Sequence, residues 1–266
     1  MRLYIIRHAD PDYANNTITE AGHAEARALA QRLAGEGLTR LYSSPLGRAR
    51  DTAAYTAEAM GLQVGIEPWT RELKALRMPA GPLEGGMLWD AHGHLLRAQR
   101  EHALAERIEQ IDIVRQTRLA AARAAAAADS DGSQSPSGDN NRPDPARVDR
   151  YGEVVEAVRS ESDAFLARHG YDRAGTSYRV VRPNRERIAV FCHGGLGLTW
   201  LAHLLAIPMP LMWAGFWLPP SSVTTVLMDE REDDLATPRC LGMGDVSHLY
   251  AERLPVQPAG VKTNFD

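Results

Sequence analysis

The sequence predicts an α/β fold, a three-layer sandwich in which a mostly parallel sheet is flanked by helices and carries a helical insertion. Three observations lead there. Short runs of β-branched and aromatic residues, Arg2-Leu3-Tyr4-Ile5-Ile6-Arg7 and Ile188-Ala189-Val190-Phe191-Cys192, alternate with longer helix-forming stretches. Both runs stop at a histidine, His8 and His193, and the second continues into Gly194-Gly195. At 266 residues, the chain suits one sizeable domain with an insertion.

Taken in order, the elements have local reasons. Arg2 to Arg7 is a buried strand. Thr19 to Ala34 is a helix, because Thr19 can cap it, Glu20 suits its positive start, and Gly35 and Gly37 end it. Leu38 to Ser43 is strand-like. A helix from Pro45 to Met60 follows, with Ser44 as N-cap, Pro45 in the first helical position and Gly61 as its stop. Gln63 to Glu67 is a short strand. Met87 to Ala128 is helical by propensity, with Leu104, Ile108, Ile111 and Val114 at helical spacing. That stretch reads either as a solvated amphipathic helix packed on the domain or as a cap over the site. Residues 129–145 hold Ser, Gly, Asp, Asn and Pro without aliphatic branches or aromatic rings, and so read as a flexible linker. Residues 87–150 thus form an inserted helical segment within a single domain spanning 1–266. Tyr151 to His169 is a helix stopped by Gly170, and Gly195 to Ala206 is another. Ser222 to Met228 is a β-branched strand, and Asp229 to Asp234 an acidic surface turn.

Composition narrows the functional classes. The chain is 44% hydrophobic and 24% charged, an ordinary globular balance. A formal net charge of −4 supplies no global field toward nucleic acid or anionic membrane. No apolar run approaches the roughly 20 residues of a spanning helix. Cys192 and Cys240 cannot build a disulfide framework and read as reduced thiols of a cytoplasmic protein. The first strand begins at once and ends in functional residues, which leaves no room for a cleaved signal peptide.

The residues at the strand ends carry the chemistry. Ligands of parallel α/β sheets sit at the carboxyl ends of strands, where Arg7, His8 and His193 are delivered. Arg48 falls in the first turn of the helix after the third strand. Guanidinium groups give permanent, bidentate hydrogen bonds to phosphate oxygens, and a neutral imidazole is a competent nucleophile toward phosphorus. The N–H groups of Gly194 and Gly195 at a helix start suit an anion. These features fit a compact anion, above all a phosphoryl group. Two histidines with Asp10 and Asp12 admit a metal site, but Arg7 and Arg48 would repel a cation.

Arg7-His8, the Ser43-Ser44-Pro45-Leu46-Gly47-Arg48-Ala49 segment and His193-Gly194-Gly195 together resemble the histidine phosphatase superfamily, which includes the cofactor-dependent phosphoglycerate mutases. The resemblance covers the N-terminal portion through about Glu72, and then Arg187 to Met228. It implies His8 as the nucleophile, Arg7, Arg48, His193 and Gly194 as phosphate ligands, and a reaction free of metal and cofactor on a small phosphorylated substrate. His193 is implied in catalysis as well. One departure is Ala9-Asp10, where the family usually carries Gly and then Glu or a small polar residue. Glu72 resembles the proton donor of the glutamate branch, with Glu84 as its rival. Gly194 after His193 separates the chain from the phytase-like branch, which has His-Asp there. Phosphatase, mutase and non-catalytic phosphate-binding scaffold are the three readings. Mutases usually follow the donor with Arg-x-Tyr-Gly, whereas Leu73-Lys74-Ala75-Leu76 follows Glu72 here. Asn15 and Asn16 read as ordinary turn residues, His248 as a surface histidine, and Trp69, Trp89 and Trp213 as core.

Overall fold

A computed structural model describes residues 1–78, 81–83, 85–91, 93–130, 151–232 and 234–261. Glu84 and the linker positions 131–145 lie outside the described residues. The elements are β1 Arg2–Arg7, β2 Pro11–Asp12, β3 Thr17–Ile18, α1 Glu20–Ala34, β4 Arg40–Ser43, α2 Gly47–Met60 and β5 Val64–Ile66. Next come α3 Gly93–Ala98, α4 Arg100–Leu104, α5 Asp112–Ser130, α6 Tyr151–Arg168, β6 Tyr171–Ala174, β7 Ser177–Val180 and β8 Arg187–Cys192. The chain ends with α7 Gly194–Leu204, α8 Met209–Gly215, β9 Val223–Glu232, β10 Leu235–Asp245 and α9 Ser247–Ala251. Two compact units are present: Met1–Glu72 with Val158–Ala206 and Trp217–Asp266, and Leu73–Ala157 with Ile207–Phe216.

The first unit is built on an eight-stranded sheet in the order β5-β4-β8-β1-β9-β10-β7-β6. Its core is parallel, since β5, β4, β8 and β1 all run the same way. From β9 onward each neighbour is antiparallel. Strands β1 and β8 are buried on both faces, which is why their sequences read as continuous apolar runs. Strand alternation then assigns the layers. Tyr4, Ile6, Leu41 and Phe191 pack with Leu29 and Leu33 of α1 and Ala53 of α2. Ile5, on the opposite face, approaches Gly197 of α7. There Tyr42 meets Phe165 of α6 edge-on at 5.2 Å between ring centroids. Trp200 of α7 stacks T-shaped on Trp69 at 4.8 Å, and its indole N–H donates to Ser162 Oγ at 2.7 Å.

Several boundaries differ from the sequence reading for physical reasons. Thr19 caps α1 by accepting from Gly22 N–H, as its side chain suggested. Helix α2, however, starts at Gly47 with Leu46 at the cap; the Ser44 hydroxyl lies 2.8 Å from His193 Nε2 and accepts from Leu46 N–H at 3.3 Å. Strand β9 runs through the expected acidic turn to Glu232, held by ladder pairing to β10. β10 carries Pro238, Gly242 and Gly244, which hide a strand in a sequence. It pairs with β7 only at Leu235 and Ala236, so Pro238 lies beyond that ladder.

In the second unit, the expected long helix from Met87 is broken into a 3-10 turn at Leu88–Asp90, α3, α4, a second 3-10 turn at Ile108–Gln110, and α5. Ile108, Ile111 and Val114 are buried, whereas Leu104 is exposed. Trp213 meets Trp89 at 5.6 Å and Tyr151 at 6.1 Å, both edge-on. α5 continues through Ser130, two residues into the segment read as linker. No helix among the described residues is long and apolar enough to cross a membrane.

Gly22 of α1 lies hard against the chain after β1. A Cβ there would collide with Asp10 O and stand 2.9 Å from Ile18 Cβ. Gly→Ala inside a helix ordinarily gains up to about 1 kcal/mol. Here overpacking should reverse the sign and cost about 1–3 kcal/mol. Gly22→Ala should therefore lower the unfolding midpoint in denaturant; an unchanged or raised midpoint would show that the Asp10 backbone yields freely.

Candidate active site

The site is assembled at the carboxyl edge of the parallel strands. Arg7 pairs with Cys192 across the β1–β8 ladder, and His8 N–H donates to Cys192 O at 2.9 Å. His8 and His193 therefore leave adjacent strand ends together, with ring centroids 5.1 Å apart. Both are buried. His8 Nδ1 lies 2.8 Å from Ala9 O. A carbonyl only accepts, so Nδ1 carries the proton and Nε2 keeps its lone pair. Burial holds the His8 pKa well below 6.5, with Arg7 and Arg48 acting in the same sense. His8 is thus neutral at physiological pH, with a bare Nε2. His193 Nε2 and Ser44 Oγ are 2.8 Å apart, and Ser44 N–H is fixed by Phe191 O, tying β4 to the same edge.

Two guanidinium groups flank the histidines. Arg7 Nη1 donates to Leu218 O at 2.5 Å and to Ala259 O at 3.1 Å. Arg48 Nη1 donates to Asn16 Oδ1 at 3.0 Å. Each is only 6% exposed, and the Nε of each has no hydrogen-bond partner among the described residues. Buried cations are nearly always paired, and among the described residues neither forms an ion pair with a carboxylate. Such an arrangement favours an anion. Gly194 belongs here because it brings the start of α7 against Arg7: a Cβ on it would sit 3.5 Å from the guanidinium carbon.

Glu72 corrects one expectation. Its Oε2 accepts from Gly195 N–H at 3.3 Å and its Oε1 from Leu196 N–H at 3.0 Å. The Gly195 N–H, read from sequence as open to phosphate, is spent on this carboxylate. The unsatisfied N–H groups and positive end of a helix draw an anionic side chain by the same physics that would draw phosphate. Glu72 also acts on the charge of Arg48.

Other residues fall in or out of the site. Asn16, read as turn chemistry, lies in it: it is held at φ 54° and positions Arg48, while Asn15 only closes a turn onto Asp12. Thr52 was missed: its hydroxyl accepts from Ala9 N–H at 3.0 Å and donates to Arg48 O at 2.7 Å. Tyr13 was missed too. It is 65% exposed, yet its ring lies 5.4 Å from the Arg48 guanidinium carbon and edge-on to His8 at 6.5 Å. His248 is buried rather than at the surface, bonded to Ser221. Trp69 is half-buried, packed against Trp200 and Phe165. Burial pushes the Cys192 thiol up to about 12, which leaves it inert. Asp10 is occupied by Thr19 and Asp12 by Asn15. No group of three His, Cys, Asp or Glu able to hold a metal ion occurs among the described residues.

Residues 3–130 match the family model of the histidine phosphatase superfamily, branch 1. Over that stretch the chain is similar to the histidine phosphatase superfamily. Among curated relatives, the probable phosphoglycerate mutase GpmB of Photorhabdus laumondii is 33% identical over 82 residues, which are 27% of this chain and 38% of that protein. Its counterpart from Serratia proteamaculans is 34% identical over 82 residues, with the same coverage of 27% and 38%. The chain thus spans about 38% of the length of the curated relatives it matches. Several solved phosphatases share the fold. A phosphoserine phosphatase from Entamoeba histolytica superimposes with a TM-score of 0.55 at 18% identity, covering 93% of this chain and 98% of that one. A mycobacterial glucosyl-3-phosphoglycerate phosphatase gives a TM-score of 0.51 at 20% identity, covering 91% and 98%. The alpha-ribazole phosphatase of Shigella flexneri gives a TM-score of 0.51 at 18% identity, covering 92% and 97%.

The tautomer of His8 is directly measurable. Nitrogen-15 spectra of labelled imidazoles should show one ring protonated at Nδ1, bare at Nε2 and untitrated between about pH 6 and 8. A His8 ring that gains a proton near its ordinary value would remove the neutral-nucleophile geometry.

Proposed function

We propose that this chain is a metal-independent phosphomonoesterase that works through a phosphohistidine on His8. The supporting observation is the bare Nε2 of a buried, neutral His8, flanked by Arg7, Arg48 and His193. In this reading Nε2 attacks phosphorus, an N–P bond forms, and the bond from phosphorus to the ester oxygen breaks. Glu72 hands a proton to the departing alkoxide. Water then attacks the phosphohistidine, Glu72 recovers a proton, and inorganic phosphate leaves with His8 regenerated. Negative charge on the three equatorial oxygens is met by Arg7, Arg48 and His193, so positioning and electrostatics supply most of the rate. The N–H of Gly194 is assigned to the same oxygens.

The substrate class is a small phosphomonoester. The mutase reading draws on the names of curated relatives. The lack of Arg-x-Tyr-Gly after Glu72 weighs against it, because that grip on a substrate carboxylate is missing from the sequence.

His8→Ala should abolish turnover of phosphomonoesters without loss of fold. Wild-type protein quenched during turnover should carry acid-labile, base-stable phosphate on His8, and its activity should survive prolonged chelation. Label on a serine or aspartate, or activity that returns only with an added divalent ion, would replace this mechanism.

Glu72→Gln should slow alkyl phosphates by about 10² to 10⁴ and aryl phosphates such as p-nitrophenyl phosphate far less, because only a basic leaving oxygen needs the proton. Equal losses on both substrate classes would leave Glu72 a purely structural part. A leaving-group-dependent defect in Glu84→Gln instead would transfer the role to that residue.

A further inference from the structure

The peptide that joins Ala9 to Asp10 is held at both ends by side chains. Its carbonyl, Ala9 O, lies 2.8 Å from His8 Nδ1 and accepts from it. Its N–H, on Asp10, donates to Glu25 Oε2 at 2.9 Å. Glu25 comes from α1 and is 2% exposed, and the proposed reaction gives it no part. The peptides on either side are fixed by other groups. Ser221 N–H donates to His8 O at 3.0 Å, and Ala9 N–H donates to the Thr52 hydroxyl at 3.0 Å. Thr19, the N-cap of α1, donates its N–H to Asp10 O at 2.9 Å. Gly22 shares a helix face with Glu25 and lies so close to Asp10 O that a Cβ would collide with it. Helix α1 is thereby seated on this segment, and Glu25 reaches the segment from a fixed distance.

We propose that Glu25 is a positioning residue for His8: through the Ala9–Asp10 peptide it fixes the carbonyl that holds the imidazole protonated at Nδ1 and bare at Nε2. The proposal rests on the phosphatase reading for its consequence in turnover, whereas its effect on the ring can be read without any activity. A peptide group is rigid and planar, so an N–H held at one end fixes the direction of the C=O at the other. Loss of Glu25 leaves Asp10 N–H without its acceptor, and the peptide relieves this by rotating toward another. Ala9 O then turns away from Nδ1, and the ring gains access to the tautomer with its proton on Nε2. That tautomer has no lone pair at Nε2 to offer phosphorus. The charge of Glu25 is not the operative property. An amide oxygen accepts from an N–H as a carboxyl oxygen does, so glutamine can fill the same place.

Glu25→Gln and Glu25→Met, compared in the full chain, test this. Nitrogen-15 spectra should show His8 protonated at Nδ1 in Glu25→Gln, as in the wild type, and a mixture of tautomers in Glu25→Met. With a phosphomonoester, kcat should stay within about threefold of wild type in Glu25→Gln and fall about 10- to 100-fold in Glu25→Met, the range for losing an outer partner that orients a metal-bound histidine. KM should change far less. A merely structural role would lower stability without moving the tautomer. A folded Glu25→Met with His8 wholly protonated at Nδ1 and wild-type kcat would overturn the inference and leave the phosphatase reading intact. Loss of the wild-type tautomer in Glu25→Gln would overturn it as well. A wild type that cleaves no phosphomonoester would overturn the phosphatase reading, and the tautomer comparison would still decide the positioning of His8. If Glu25→Met does not fold, Glu25→Asp decides, because it keeps the carboxyl and withdraws it from Asp10 N–H by one methylene. A mixed His8 tautomer in that variant supports the inference, and the wild-type pattern sinks it.

Discussion

The parallel pairing of β1 with β8 is the contact on which the candidate site depends. These strands are separated by most of the chain, yet their ladder sets Arg7 beside Cys192 and carries His8 and His193 off the same sheet edge. Both strands are buried on both faces, so a slip of one residue would turn core side chains toward the wrong layer and carry the histidines with them. Burial of the sheet thus fixes the geometry of the candidate site as a by-product of packing. β4 joins from the other side of β8 and adds Ser44 and the start of α2, which brings Arg48.

The site also concentrates features that folding alone would avoid. Two guanidinium groups and two imidazoles are buried together, the Nε of each guanidinium lacks a partner among the described residues, and Asn16 and Ser221 adopt left-handed backbone conformations. Local violations of this kind are expected where a protein stores electrostatic preorganisation for a ligand. Burial shifts the two kinds of group in opposite directions and leaves both neutral. It keeps His8 neutral and nucleophilic, and it keeps Glu25 neutral up to about 7. Both effects leave the arginines as the dominant charge in the pocket, in a chain whose net charge is −4.

Helix α7 illustrates how one physical device can serve either of two partners. Its first N–H groups attract any nearby anion, and in this structure Glu72 takes those of Gly195 and Leu196. That contact brings a carboxylate to the rim of an anion site, where like charge would otherwise keep it from a phosphate. The helix start therefore shapes the anion site partly through the carboxylate it holds.

The sequence by itself determined the parallel core, its order of strands and helices, and most of the site's cast. Apolar runs ending in Arg7-His8 and His193 announce buried strands with functional tips, and Ser44 to Arg48 announces a helix start beside them, because such signals are local. Only the tertiary structure decided what each group does there. Whether Glu72 faces solvent or α7, whether Asn16 closes a turn or grips Arg48, and whether His248 lies at the surface or under the site all depend on contacts between distant segments. The same holds for β10, whose prolines and glycines disguise a strand that the ladder to β9 imposes. Glu25 is the clearest case: in sequence it is one more charged residue on an amphipathic helix, and only its burial against the Asp10 backbone raises its proton affinity toward neutrality.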